Sequence, residues 1–225
     1  MFVGHYGPAF AARAAGKSIS LWVAFIAVQF VDVLWAIFVL LGVEKVRIVP
    51  RFTATNPLDL YYMPYTHSLI GAAAWAISAS IIYYSYRKVE GWSAAVLVGA
   101  AVFSHWLLDW IVHRPDLPLY DNSFQVGLGL WNYPVFAFLL ELAILFGGMY
   151  LYFKTTESVS HTGRYGMAIF GVLMMVVQFI VFFGPAPSSD KAAAVTALVL
   201  YFVFATSAYW LDKQRIARSR ISSRR

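Results

Sequence analysis

Six long apolar stretches dominate this chain, and each is long enough to cross a membrane as a helix. A hydrocarbon core about 30 Å thick requires roughly 20 apolar residues of α-helix. Gly and Pro lie in the gaps between the stretches, as expected for loops. We predict spans at residues 19–43, 66–86, 92–112, 133–153, 165–184 and 192–211. The predicted fold class is therefore all-α: a polytopic membrane helical bundle of about six transmembrane helices, forming a single membrane-embedded domain over residues 1–225.

The first 17 residues are Ala-rich and mildly apolar, but they are too short to span a bilayer. They can lie on the membrane surface, or they can form a short N-terminal half-helix that packs inside the bundle. A half-helix over residues 3–16, entering from the inner side, would place His5 roughly 18 Å from that surface. His5 would then lie near the level of Asp32 in the first span.

Composition supports a membrane protein and limits its partners. The chain is 60% hydrophobic and only 12% charged, too little charge to cover the surface of a soluble domain. There is no cysteine, so disulfides and thiolate metal sites are excluded. A metal here must be bound by His, Asp or Glu.

The net charge of +6 does not indicate nucleic acid binding, because much of the excess lies in a tail at residues 212–225. A basic tail after an apolar helix is typical of the cytoplasmic face, where it contacts anionic lipid headgroups. Lys and Arg also favour the loops on that side. We predict an integral membrane protein of the bacterial inner (plasma) membrane, with both termini cytoplasmic and with membrane lipids as its partners. The tail cations are Lys213, Arg215, Arg218, Arg220, Arg224 and Arg225.

Several ionisable residues lie inside the predicted spans, where they are costly unless they have a partner or face a wet cavity. Measured from the outer helix ends, Asp32 lies roughly 16 Å deep, His105 roughly 11 Å and Glu141 roughly 12 Å. Asp109 is shallower, and His67 begins the second span. Groups from several helices therefore converge on one leaflet.

The third span carries His105, Asp109 and His113 at i, i+4 and i+8, which places all three on one helix face. An imidazole and a carboxylate one turn apart can bind a transition metal such as zinc, which takes N and O ligands at about 2 Å. The alternative is a structural hydrogen-bonded pair between helices.

Four segments in this order resemble the YdjM-like family of predicted membrane-bound metal-dependent hydrolases. They are Gly4-His5, Asp32, Tyr65-Thr66-His67-Ser68-Leu69, and Ser104-His105-Trp106-Leu107-Leu108-Asp109. Residues 129–134, GLWNYP, look like that family's Gly/Leu-Trp-Pro loop. The order of candidate ligands is also similar, more distantly, to that of zinc-dependent phospholipases C. The resemblance covers residues 4–134.

The resemblance implies one or two divalent metal ions, zinc first, with Asp109 as a candidate bridge between two of them. It implies metal-activated water that cleaves a phosphoester, and the position of the candidate site within one leaflet suits a lipid or another amphiphilic (phospho)ester as substrate. The implied metal ligands are His5, Asp32, His67, His105 and Asp109. The candidate catalytic residues are Glu141 as general base, and Asp32 if it is not a ligand.

Two other functions stay open. Buried carboxylates and histidines can also form the relay of a proton- or metal-coupled transporter or permease. The chain also departs from the family pattern: residues 30–34, FVDVL, have no second acid, and residues 62–65, YMPY, have no His-Arg-Gly. A non-catalytic membrane scaffold with a degenerate metal site is therefore the third hypothesis.

Overall fold

The structure is a computed structural model that describes residues 1–16 and 18–218. Its eight α-helices are α1 Tyr6–Ala15, α2 Leu21–Val28, α3 Phe30–Leu40, α4 Leu69–Tyr86, α5 Gly91–Val112, α6 Pro134–Thr155, α7 His161–Phe183 and α8 Asp190–Asp212. Two short antiparallel pairs accompany them: β1 Lys45–Ile48 with β2 Leu58–Tyr62, and β3 Thr156–Ser158 with β4 Arg215–Ala217. Single 3₁₀ turns occupy Val3–His5, Lys88–Glu90 and Leu130–Asn132. The predicted all-α bundle is confirmed.

Helices α4 to α8 are each long and apolar enough to cross a membrane, and the bent pair α2–α3 makes a sixth candidate span. Large apolar side chains on their outer faces are exposed, including Ile77, Phe136, Ile169 and Val199. Such a surface suits lipid rather than water. The structure therefore supports an integral membrane protein. The orientation stays a prediction, and Lys17 together with the tail residues Arg220, Arg224 and Arg225 lies outside the described residues.

Serine side chains begin four of the helices. The hydroxyls of Ser20, Ser68, Ser160 and Ser189 each accept a hydrogen bond from a backbone N–H in the first turn of the helix that follows. This satisfies one of the donors that a helix start leaves unpaired. Because of these caps, α7 and α8 each begin a few residues before the apolar run that the sequence predicts.

The first span is not the continuous helix that the sequence predicts over residues 19–43. It breaks at Gln29, and α2 and α3 meet at an angle of 55°. The run from Leu21 to Leu40 contains neither Pro nor Gly, so the pattern carries no signal for a break. Tertiary contacts explain it instead: the Gln29 amide donates to the carbonyl of Phe2, and the carbonyl of Val28 accepts from His105. A broken helix at membrane depth is tolerated when protein groups satisfy its backbone in this way.

The N-terminal half-helix lies inside the bundle, which is one of the two placements that the sequence left open, and Val3, Tyr6 and Phe10 are fully buried. Glycines let α1 approach α6 closely. A Cβ on Gly7 would lie 2.3 Å from the carbonyl oxygen of Ile144, and one on Gly148 would lie 2.2 Å from that of Gly7. Backbones this close leave no room for a side chain, so the two glycines set the position of the N-terminal segment.

Five buried rings form an aromatic layer across the middle of the bundle: Tyr6, Phe10, Phe25, Phe170 and Phe204. Their contacting pairs have centroids 4.5 to 6.2 Å apart. On one side of this layer, Asp212 binds Arg13 and the hydroxyl of Tyr152. The predicted site residues lie on the other side. The layer thus separates the two polar ends of the bundle.

Candidate metal centre

The five predicted ligands come together at one end of the bundle, and we call this group the His/Asp centre: His5, Asp32, His67, His105 and Asp109. Four different parts of the chain supply them. His5 ends the first 3₁₀ turn, Asp32 lies in α3 just after the break, His67 precedes α4, and the other two share one face of α5. Each is buried except Asp32, whose side chain is 15% exposed.

Asp109 lies between the histidines. Its Oδ2 is 3.0 Å from the Nε2 of His105, 3.7 Å from that of His67 and 3.8 Å from that of His113. Its Oδ1 is 3.1 Å from the Nε2 of His5 and 2.5 Å from the amino nitrogen of Met1. The rings of His5 and His105 stack with centroids 3.8 Å apart. A single carboxylate thus contacts nitrogens from three separate segments.

Asp32 completes the group from the opposite helix. Its Oδ1 is 3.2 Å from the Nε2 of His67 and 3.5 Å from that of His105, while its Oδ2 accepts a hydrogen bond of 2.7 Å from the hydroxyl of Tyr201. Ligand atoms in a tetrahedral zinc site with bonds of about 2.0–2.1 Å lie roughly 3.3 Å apart. The observed separations are of that size, and two overlapping groups of three, His5–His105–Asp109 and Asp32–His67–His105, can each hold a metal ion.

The break between α2 and α3 determines which nitrogen of His105 faces the centre. His105 Nδ1 lies 2.8 Å from the carbonyl oxygen of Val28, which can only accept a hydrogen bond. Nδ1 therefore carries a proton, and Nε2 is the ring nitrogen that faces the carboxylates. Metal-binding histidines in proteins are held in this way by an outer acceptor.

Two residues, Glu44 and Thr66, determine the orientation of the His67 ring. Glu44 accepts from the backbone N–H groups of Tyr65 and Thr66 and, at 2.6 Å, from the hydroxyl of Thr66. Because the Thr66 hydroxyl donates its one hydrogen to Glu44, its oxygen accepts from His67 Nδ1, which lies 2.8 Å away. The Nε2 of His67 is therefore the ring nitrogen that faces Asp32.

His113 repeats the pattern at the end of α5. Its Nδ1 lies 2.9 Å from a carboxylate oxygen of Asp116, and its Nε2 points to Asp109. Trp131, from the third 3₁₀ turn, packs on this ring with centroids 4.4 Å apart. Three histidines thus have an acceptor behind the ring and Nε2 towards Asp109, and two of them, His67 and His105, also face Asp32.

A histidine nitrogen that faces a carboxylate must either carry a proton or share a bound cation with it. His105 Nε2 is 3.0 Å from Asp109 yet makes no hydrogen bond to any residue that the structure describes. An orphaned buried nitrogen of this kind is costly. A divalent cation would satisfy it together with the two carboxylates, so the donor set fits a metal ion.

Glu141 lies on α6 beside the centre and anchors the N-terminal segment. Its Oε2 accepts hydrogen bonds from the backbone N–H groups of Phe2 at 2.9 Å and Gly4 at 3.1 Å, next to His5. The Gln178 side chain of α7 accepts a third, from Val3. The other oxygen of Glu141 is buried and has no hydrogen-bond partner among the described residues. Glu141 thus positions the segment that carries His5 and leaves its second oxygen without a partner. Its role as a general base stays a prediction.

A cavity of about 520 Å³ connects this centre with the surface of the bundle. Asp32, His67, Asp109, His113 and Glu141 line its polar end. Its other walls come from α7, α8 and the loop that joins β1 to β2. The volume is within the range of about 300–1,000 Å³ typical of small-molecule sites.

Several supporting residues could not be predicted from sequence. Tyr201 is one tyrosine among the apolar residues of the last span, and the Val28 carbonyl depends on an unpredicted break. Trp106, which donates to the carbonyl of His67, has no distinguishing pattern either. For His113 a signal existed, since it continues the helix face of His105 and Asp109.

Comparisons of the chain with family models, curated proteins and solved structures found no match.

Proposed function

We propose that this chain is a membrane-embedded metal-dependent hydrolase that cleaves an ester bond in a lipid or another amphiphile, through water activated on one or two divalent ions. The observation that carries the proposal is the alignment of His67, His105 and His113. In each, an outer acceptor holds Nδ1 while Nε2 faces buried carboxylates. Structural histidines do not require three such arrangements around one aspartate.

The His/Asp centre would hold the ions, and the bound metal would act as a Lewis acid that lowers the pKa of coordinated water to about 7. The chain's own residues have the remaining tasks. Tyr201 orients Asp32, and Val28 and Thr66 orient two of the histidine rings. The free oxygen of Glu141 is the candidate general base, because it is buried beside the centre and lines the cavity.

The aromatic layer favours a hydrolase over a transporter. A relay across the membrane needs polar groups through both leaflets, whereas five packed rings separate the His/Asp centre from the polar end around Asp212. A site that opens on one side of this layer suits an enzyme that binds and releases its substrate on the same side.

The finer assignments belong to this proposal. Zinc is the expected ion because N and O ligands at tetrahedral separations suit it. The YdjM-like resemblance, a location in the bacterial inner membrane and cytoplasmic termini stay predictions. The basic tail and the motif order support them.

Metal content tests the centre directly. Protein purified without chelator should contain one or two zinc, manganese or iron atoms per chain by inductively coupled plasma mass spectrometry. The variants His105→Ala and Asp109→Ala should lose this metal, whereas His161→Ala, at an exposed position at the start of α7, should keep it. Equal metal content in all four proteins, or none after loading, would remove the basis of the proposal.

Activity is the second step. The metal-loaded protein should be incubated in detergent micelles with lipid phosphoesters and carboxylic esters, and the products identified by mass spectrometry. We expect product formation that ceases with chelator and with Asp109→Ala. A protein that binds metal but hydrolyses no ester would instead support the scaffold hypothesis.

A further inference from the structure

Helices α7 and α8 pack tightly at one end and separate at the other. At the close end, Phe170 of α7 contacts Phe204 of α8, and a Cβ on Gly166 would lie 2.7 Å from the Leu211 side chain. Towards the opposite end, Val177 and Val181 of α7 line one wall of the cavity, and α8 lines the facing wall. The two helices therefore diverge around the cavity.

The opening between them faces the membrane. Ile180 and Val181 of α7 line the cavity and are 57% and 46% exposed. On α8, Thr196 is exposed and lines the cavity as well. Residues that belong to both surfaces mark the edge of a gap, so the cavity is open to the side of the bundle.

The depth of the gap indicates what enters it. Leu200 and Tyr201 line the cavity ten and eleven residues after Asp190, the first residue of α8, which is roughly 15 Å along the helix. That distance is half of a hydrocarbon core about 30 Å thick. The cavity therefore reaches the depth of acyl chains, and its exposed edge at Thr196 lies roughly 9 Å along α8, within the apolar span.

The cavity wall combines apolar and ionisable side chains. Apolar side chains of α7 and α8, such as Ile180, Ala197 and Leu200, line the cavity, and so does Asp32, which contacts His67 and His105 of the centre. Tyr201 also lines the cavity and donates its hydroxyl to Asp32. A ligand that fits both kinds of side chain has a hydrocarbon chain joined to a polar group.

We infer that the substrate enters sideways from the bilayer, with one hydrocarbon chain between α7 and α8 and its polar linkage at the His/Asp centre. This rests on the proposed function for the identity of the reaction, but the chain-binding gap is a separate property of the fold. It identifies the substrate class as membrane amphiphiles.

Single-cysteine labelling tests the gap, because the chain has no cysteine of its own. Ala197→Cys in the cavity and Val199→Cys on the lipid-facing side of the same helix are labelled with bimane and placed in phosphatidylcholine vesicles. Phosphatidylcholine with a nitroxide on its acyl chain should quench both probes, and aqueous iodide should quench neither. Quenching at position 197 by iodide, or by neither agent, would overturn the inference.

A bulky side chain in the cavity, compared with the same side chain outside it, provides the matched control for the quenching experiment. In the Ala197→Cys protein, Val177→Phe narrows the cavity, whereas Val176→Phe places the same side chain on the exposed face beside it. Only Val177→Phe should reduce quenching by the lipid nitroxide. Equal quenching in both would mean that the probe senses bulk lipid, which also overturns the inference.

Metal content separates this inference from the proposed function. Neither phenylalanine variant touches the His/Asp centre, so both should retain their metal. If the gap admits lipid but the protein holds no metal, the proposed hydrolase fails and the lipid site stands. If metal is present and the gap excludes lipid, the lipid site fails and the proposed hydrolase stands.

Discussion

A metal centre in a membrane depends on hydrogen bonds behind its ligands as much as on the ligands themselves. His67 illustrates this, because its orientation comes from Thr66, which is held in turn by the buried carboxylate of Glu44. The hydrogen bonds of Thr66 and Glu44 in the described part of the chain include none to Asp32 or Asp109. Outer partners of this kind typically change metal affinity by about 10- to 100-fold when they are removed.

Replacement of Thr66 by valine should therefore weaken zinc binding by about 10- to 100-fold. The side chain keeps its shape but loses the oxygen that accepts from His67 Nδ1, so the ring is no longer held with Nε2 towards the centre. Competition with a chelating dye measures the affinity. Thr206→Val is the control, because that hydroxyl only bonds to a carbonyl of its own helix, on an exposed face of α8. Equal affinity in both variants would show that the Glu44–Thr66 pair is irrelevant to the site.

Much of the site was predictable at this scale, and the reason is physical. Ionisable residues are so costly in an apolar span that His105, Asp109 and Asp32 are conspicuous in the sequence. Their hydrogen-bond partners are not conspicuous, because a backbone carbonyl, a threonine before a helix and a tyrosine in a span are all common. The ligand positions could therefore be inferred, whereas the orientation of each ring required three-dimensional contacts.

Among the elements, the N-terminal half-helix is the one whose position determines the site. It brings His5 to Asp109, and it packs through Gly7 and Gly148 against α6. The sequence predicted that this segment can enter the bundle, since it is too short to span. It did not predict the break in the first span, because the break depends on distant contacts of Val28 and Gln29 rather than on a local Pro or Gly.

A methyl group at position 148 should displace this half-helix. In Gly148→Ala, the new Cβ would lie 2.2 Å from the Gly7 carbonyl oxygen, so α1 must move away from α6 and carry His5 with it. We expect lower thermal stability and weaker metal binding. Gly147→Ala is a close control, because a Cβ there meets no atom of the described residues within 4 Å and alanine favours the helix by about 1 kcal/mol.

Thermal unfolding in detergent, combined with metal analysis, distinguishes the two variants. A Gly148→Ala protein as stable and as metal-rich as the Gly147→Ala protein would show that the close contact between α1 and α6 is not needed for the site.

At the scale of the whole molecule, the proposed metal should contribute to stability as a ligand of the folded state. A ligand present at about 100 times its dissociation constant stabilises the fold by about 2.7 kcal/mol. Chelation should therefore lower the unfolding temperature of the wild-type protein in detergent, and added zinc should restore it. His105→Ala should show no response to either treatment. A response of equal size in that variant would mean that the stabilising ion binds elsewhere.

The aromatic layer also has an electrical consequence. A membrane voltage falls mainly across the dry part of a protein, and here that part is the packed rings between the His/Asp centre and Asp212. Moving one charge through the full field at 100 mV costs about 2.3 kcal/mol, but ions and substrate that reach the centre from the open side cross little of that field. In sealed vesicles, turnover should therefore be the same with and without an imposed potassium diffusion potential. The rate of the proposed reaction would then not depend on the membrane potential.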